Sequence, residues 1–130
     1  MNKLQDLRAW LTHRVPALAR NPDQLLTFIE EGRIRFHAGG NLSHQYSMPV
    51  QVVVTDWRDS ADTIILPVLE WLSVREPGFD PENTLSFDAE IIDKHTIDLS
   101  LRIQVTERVI VTTNNGSQAI EHVLPGELPA

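Results

Sequence analysis

The 130-residue chain is long enough to bury one domain's core, and without cysteine it holds neither disulfides nor thiolate metal sites. Its net charge of -7 argues against a general nucleic-acid binder, which carries a basic stripe. No apolar run approaches the roughly 20 residues that cross a bilayer, and the N-terminus has no signal-peptide core, so a soluble product made in the cytoplasm, with no membrane partner, is expected.

Leu4, Leu7 and Leu11 share one arc and predict a helix over 3–14, with Trp10 on its flank. Pro16 and Pro22 push the residues before them out of the helical region, so 16–24 reads as a connector with room for one extra turn. Leu25 to Ile29 is a short apolar strand. The Glu30-Glu31-Gly32-Arg33 stretch turns, with Gly32 the residue free to take positive φ. Ile34 and Phe36 alternate with arginines, Ala38-Gly39-Gly40-Asn41 is a loop, and Leu42 to Thr55 is a long strand. Matching faces across this hairpin sets Phe36 opposite Tyr46 and Ile34 opposite Met48.

The stretch from Met48 to Glu76 organises the rest. β-Branched residues at period two run to Thr55, and a turn at Asp56–Asp59 leads into a helix. Ser60 or Asp59 can receive the free N–H groups that open it, and Asp62 lies in its positive first turn. Ile64, Ile65, Val68, Leu69 and Leu72 mark its buried stripe, with Trp71 at the margin. Pro67 favours a long helix kinked near Thr63–Leu66 over a shorter one that starts at the proline.

Residues 76–84 form a Pro/Gly-rich loop containing Phe79. Leu85–Ile91 and Ile97–Val105 then alternate cleanly, so each strand sets one face on the core and one in water, the mark of antiparallel pairing. Thr106-Glu107 reads as a bulge where the apolar phase blurs. Asn115-Gly116 marks a tight hairpin that returns through Ala119–Val123. These elements predict one α+β domain over 1–123, an antiparallel or mixed sheet with two helices mainly on one face, and a flexible tail over 124–130.

The chemistry-bearing residues form no reaction centre. The histidines at 13, 37, 44, 95 and 122 lack the helical i, i+4 spacing of zinc hydrolases, and His37 and His44 are better read as solvated strand residues than as metal ligands. Asp88, Glu90, Asp93 and Asp98 crowd one hairpin, but on the polar face of alternating strands rather than in a cleft. No serine sits in a Gly-x-Ser-x-Gly elbow. No catalytic, cofactor-binding or metal residue is therefore assigned.

Thr55-Asp56-Trp57 and the following Ala61–Leu72 stretch, Glu31-Gly32-Arg33-Ile34, Asp98-Leu99-Ser100 and Thr106–Val111 together resemble the tail completion protein R family of contractile-tailed temperate phages and prophages, over about residues 2–123. The resemblance implies a non-enzymatic virion protein, assembled in the host cytoplasm, acting at the head-proximal end of a tail where head and tail join. It implies tail tube or terminator proteins and the head connector as partners. By looser analogy it implies a tail-terminator-like fold and a homo-hexameric ring. An acidic surface would let DNA pass such a ring by like-charge repulsion. The expected interface residues are Trp57, as an exposed indole at the strand exit; Phe79, in the long loop; and Pro49, which blocks one position of an exposed strand edge. The rival readings are a small-molecule binding or accessory domain, which needs an apolar pocket, and an adaptor in a tail-related secretion machine.

Overall fold

The computed structural model describes residues 2–129. Helix α1 (Asn2–Arg14) is followed by the short α2 (Pro16–Arg20) and a 3₁₀ turn (Pro22–Gln24), each opening on a proline whose missing N–H costs nothing in a first turn. Strands β1 (Leu25–Ile29), β2 (Arg33–Phe36) and β3 (His44–Trp57) lead into α3 (Asp62–Arg75), and β4 (Leu85–Asp93), β5 (Thr96–Asn114) and β6 (Ser117–His122) complete one antiparallel sheet of six strands.

β3 and β5 form the centre of the sheet. β1 and β2 lie end to end along the outer side of β3, and β4 and β6 along the outer side of β5. Met48, Val50, Val52 and Val54 of β3 meet Val105, Ile103, Leu101 and Leu99 of β5 across one face. That face joins Leu7, Trp10 and Leu11 of α1 and Ile64, Val68 and Trp71 of α3 in a single core. The expected α+β architecture is the one observed.

α3 runs unbroken through Pro67, as the long-helix reading required. Asp62 N–H donates to Ser60 Oγ (3.2 Å), so the serine opens the helix from two residues upstream. The buried stripe is rotated from the one expected. Pro67 and Trp71 lie at its centre and Leu69 is 44% exposed, because α1 packs along that side: Trp10 Nε1–H donates to the Pro67 carbonyl (2.9 Å).

The β2–β3 register also differs, by two residues. Ile34 faces Tyr46 and Phe36 faces His44, with β3 starting at His44 rather than Leu42 and running on to Trp57. A two-residue slip preserves the face of every side chain, so the apolar pattern alone could not choose between the registers. Positive φ falls on Glu31 (52°), not on Gly32. No bulge occurs at Thr106-Glu107, where the pairing of β5 with β3 continues from Val105 through Val109. Instead the ladder breaks between Val54 and Trp57, around Asp56 with φ 52°. Asn115 (51°) and Gly116 (82°) both take positive φ in the tight β5–β6 turn, as their sequence signal requires.

Residues 124–129, expected as a flexible tail, follow α3. Arg75 Nη1 donates to the carbonyls of Pro125 (3.0 Å) and Gly126 (2.7 Å), and Leu128 packs against the core. Gly126 has φ 72° and would bring a Cβ to 2.6 Å from Val74 Cγ1, so only glycine fits there.

Candidate functional site

Among the described residues, no three His, Asp or Glu side chains gather where they could hold a metal ion. His37 and His44 do line one cleft, of about 310 Å³, but Arg35 and Arg108 line it too, and cationic neighbours oppose a bound cation. The β4–β5 carboxylates lie along the helix-free face or in turns. Asp98 accepts the backbone N–H of Asp56 (2.8 Å), and Asp93 accepts that of His95 (2.8 Å), the main cause of its lowered pKa. A cleft of about 490 Å³ lies on the same face beside Pro49 and is lined by Glu31, Arg33, Arg102 and Gln104. Charges of both signs on strand backbone differ from the apolar pocket that a small-molecule site needs. No helix among these residues is long and apolar enough to cross a membrane.

The three expected interface residues occupy different environments. Trp57 is 6% exposed, which corrects the exposed indole expected at the strand exit. Its ring joins the core, and Nε1–H donates to Ser60 O (3.1 Å) and Thr63 Oγ1 (3.0 Å), clasping the strand-to-helix turn. Trp57→Phe keeps most of the packing and removes the donor; a loss of about 1 kcal/mol in urea unfolding is expected, since Thr63 Oγ1 still donates to Ser60 O.

Pro49 is not on an edge. It is buried in central β3, with its carbonyl accepting Glu30 N–H (3.3 Å) where β1 gives way to β2. The N and O of one strand residue point to the same side, so its missing N–H faces the break at Glu30–Gly32, where no ladder partner is lost. Phe79 is 43% exposed, in the 76–84 loop, with its N–H donating to the Glu76 carbonyl (3.2 Å).

That loop is tied at its root into a polar network that the sequence pattern does not single out. Glu76, only 6% exposed, accepts Lys3 Nζ (2.6 Å), the Thr106 N–H (2.9 Å) and the Thr106 hydroxyl. Further along, Asp80 accepts Asn83 Nδ2 (2.8 Å) and Glu82 N–H (3.0 Å); these bonds, the Asn83 side chain first, hold its carboxyl below the usual range. Beside Glu76, Arg75 donates through Nε to Asp6 Oδ2 (2.9 Å), which also accepts Trp71 Nε1–H (2.8 Å).

At the centre of this end of the molecule lies Glu107, with no exposed surface. It occupies a core-face position of β5, in phase with Val105 and Val109. Its Oε1 accepts the Lys3 N–H (2.7 Å), while Oε2 accepts the Asn2 N–H (3.3 Å) and meets His122 Nδ1 (2.6 Å). The carboxylate thus caps α1 from another element, against the positive end of the helix. Burial pushes its pKa up, but the Lys3 amide, His122 and the Asn2 amide together outweigh burial and hold it below the usual range. The sequence signal for it is phase: Glu107 continues the odd-numbered core series of β5, which the expected bulge at Thr106-Glu107 would have broken.

A family model described as P2 phage tail completion protein R (GpR) matches residues 1–126. Tail completion protein R of Escherichia phage P2 is 30% identical over 128 residues, covering 95% of this chain and 83% of that protein. No solved structure matches.

Proposed function

The chain belongs to the P2 phage tail completion protein R family, and from that premise we propose that it completes the head-proximal end of a phage tail and joins it to the filled head. Family membership makes it a structural protein of the phage tail. Its work is then contact rather than chemistry: it is not an enzyme, it binds no cofactor, and its partners are tail tube or terminator proteins and the head connector. It assembles in the host cytoplasm, stays in the virion, and presents its surfaces in the tail's symmetry as a homo-hexameric ring.

The observation that carries the contact reading is the 76–84 loop. A loop rooted on buried Glu76 and leaving Phe79 43% exposed has less freedom to lose on binding, and an exposed aromatic on such a support is suited to anchor an interface. Among the three interface residues, Phe79 makes the contact, while Trp57 and Pro49 act through the backbone they hold in place. The net charge of -7 supports passage of DNA without adhesion.

Complementation tests this reading. Phage lacking the corresponding gene should yield separate heads and tails, and added protein should restore joined particles. Phe79→Ala should lower that yield roughly tenfold with an unchanged melting temperature. Failure of the wild-type protein both to bind tails and to restore joining would overturn the proposal.

A further inference from the structure

The sheet ends in two open edges of opposite charge. Among the described residues β2 pairs with β3 alone and β4 with β5 alone, so each leaves a row of backbone donors and acceptors open. On β2, Arg33 and Arg35 lie opposite Ser47 and Gln45 on the helix-free face, and Ile34 and Phe36 lie on the helix face. On β4, Asp88 and Glu90 lie opposite Ser100 and Asp98 on the helix-free face, and Phe87, Ala89 and Ile91 lie on the helix face. The helices reach neither set. Ile34 is 66% exposed, Phe87 65% and Ile91 78%, although the sequence pattern assigned β4 the same core-facing alternation as β5. The ion pairs among the described residues use none of these four charges.

Charge on a strand edge ordinarily discourages pairing with an identical edge. Here β4 against β4 would set acid on acid and β2 against β2 would set arginine on arginine, whereas β2 against β4 matches both faces at once. Such a contact is heterologous: two different patches meet, so each copy can bind the next. We propose that β2 of one copy pairs with β4 of a second, extending one sheet from subunit to subunit. Three successive antiparallel pairings separate β2 from β4, so the two strands run in opposite directions. A neighbour in the same orientation therefore brings them together antiparallel. The register that sets Arg33 on Glu90 and Arg35 on Asp88 also sets Ile34 on Ala89 and Phe36 on Phe87. An apolar cleft lined by Ile34, Phe36, Leu42 and His44 is open to receive the incoming ring. Within one copy β2 lies level with Thr106–Val109 of β5, and β4 with Ile97–Ile103, so neighbours step along the strands and the strands run oblique to the axis of a closed ring. The inference deepens the ring reading above and rests on it only for closure; the contact itself rests on the two edges.

The absence of cysteine allows a direct test. Ile34→Cys and Ala89→Cys proteins, mixed at high concentration under mild oxidation, should cross-link to each other and not to themselves. A chain carrying both should give a ladder that stops at a closed ring. In that double background, Arg33→Glu with Arg35→Glu should cut the cross-linked yield roughly tenfold or more, because like charges then face each other. Adding Asp88→Arg with Glu90→Arg should restore it. These exposed substitutions should leave the melting curve of the monomer unchanged. No cross-link above the single-cysteine background, self-linking equal to cross-linking, or indifference to charge reversal would each overturn the edge contact. Head–tail joining is scored separately: cross-linking without joining retains the contact and sinks the assembly role, and joining without cross-linking does the reverse.

Discussion

Leu101→Asp is expected to leave no folded protein, while Ser100→Asp, one residue away, folds. Leu101 is 1% exposed at the centre of β5, facing Val52 on one side and Phe87 on the other. A carboxylate there has no partner within the apolar core, and burying it costs several kcal/mol, on the order of the whole stability of a small domain. Ser100 points to the helix-free face, opposite Val53 and Asp88. An aspartate in its place meets solvent and one like charge across the strand, a cost of roughly 1 kcal/mol or less. Soluble yield and urea unfolding of the pair measure the difference. Equal loss in both variants would mean that the face assignment of the central strand is wrong.

Glu107→Ala is expected to cost about 3–5 kcal/mol, the combined effect of leaving buried donors without their acceptor and opening a cavity. The substitution withdraws the acceptor from the Lys3 and Asn2 amides, strands His122 and opens a cavity beneath α1. Glu107→Gln keeps an acceptor and the volume but removes the charge, so it isolates the electrostatic part. The folded-state pKa of Glu107 is depressed, so its contribution is fully present above the ordinary glutamate range and is lost as pH falls through the depressed value. The stability gap between wild type and Glu107→Gln should therefore be widest near neutral pH and shrink in acid below about pH 4. Urea unfolding across that range reads the gap directly. A gap that stays constant down to about pH 3 would show that the side chain is not ionised in the folded protein.

The two proposed contacts, through the anchored loop and through the sheet edges, divide the surface between two kinds of partner. In the proposed assembly Phe79, 43% exposed on the loop rooted where Glu76, Lys3 and Thr106 meet, contacts a different protein. The β2 and β4 edges flank the sheet, and by the same proposal they meet another copy of the chain. A subunit that must repeat around a tail and also grip what lies above and below it needs both.

The sequence by itself determined what depends on near neighbours. Period-two alternation set the faces of β3 and β5, the proline positions set the connector before β1, and Asn115-Gly116 set the last hairpin. The order and spacing of several individually weak stretches also carried the family resemblance. The tertiary structure decided what depends on how far one layer covers another. Leu99 and Phe87 follow the same alternating rule, yet one is buried and the other exposed, because the helices extend over β5 and stop short of β4. Trp57 and Trp71 are buried for a related reason: each indole N–H finds an acceptor brought in by a turn or a neighbouring helix. Glu107 is the sharpest case. Its place in the core series was written in the chain, but a carboxylate is tolerable there only because the first turn of α1, more than a hundred residues earlier, delivers two amides to it. Local pattern assigns a side chain to a face; whether that face is covered, and by which donors, is settled by contacts that no local window contains.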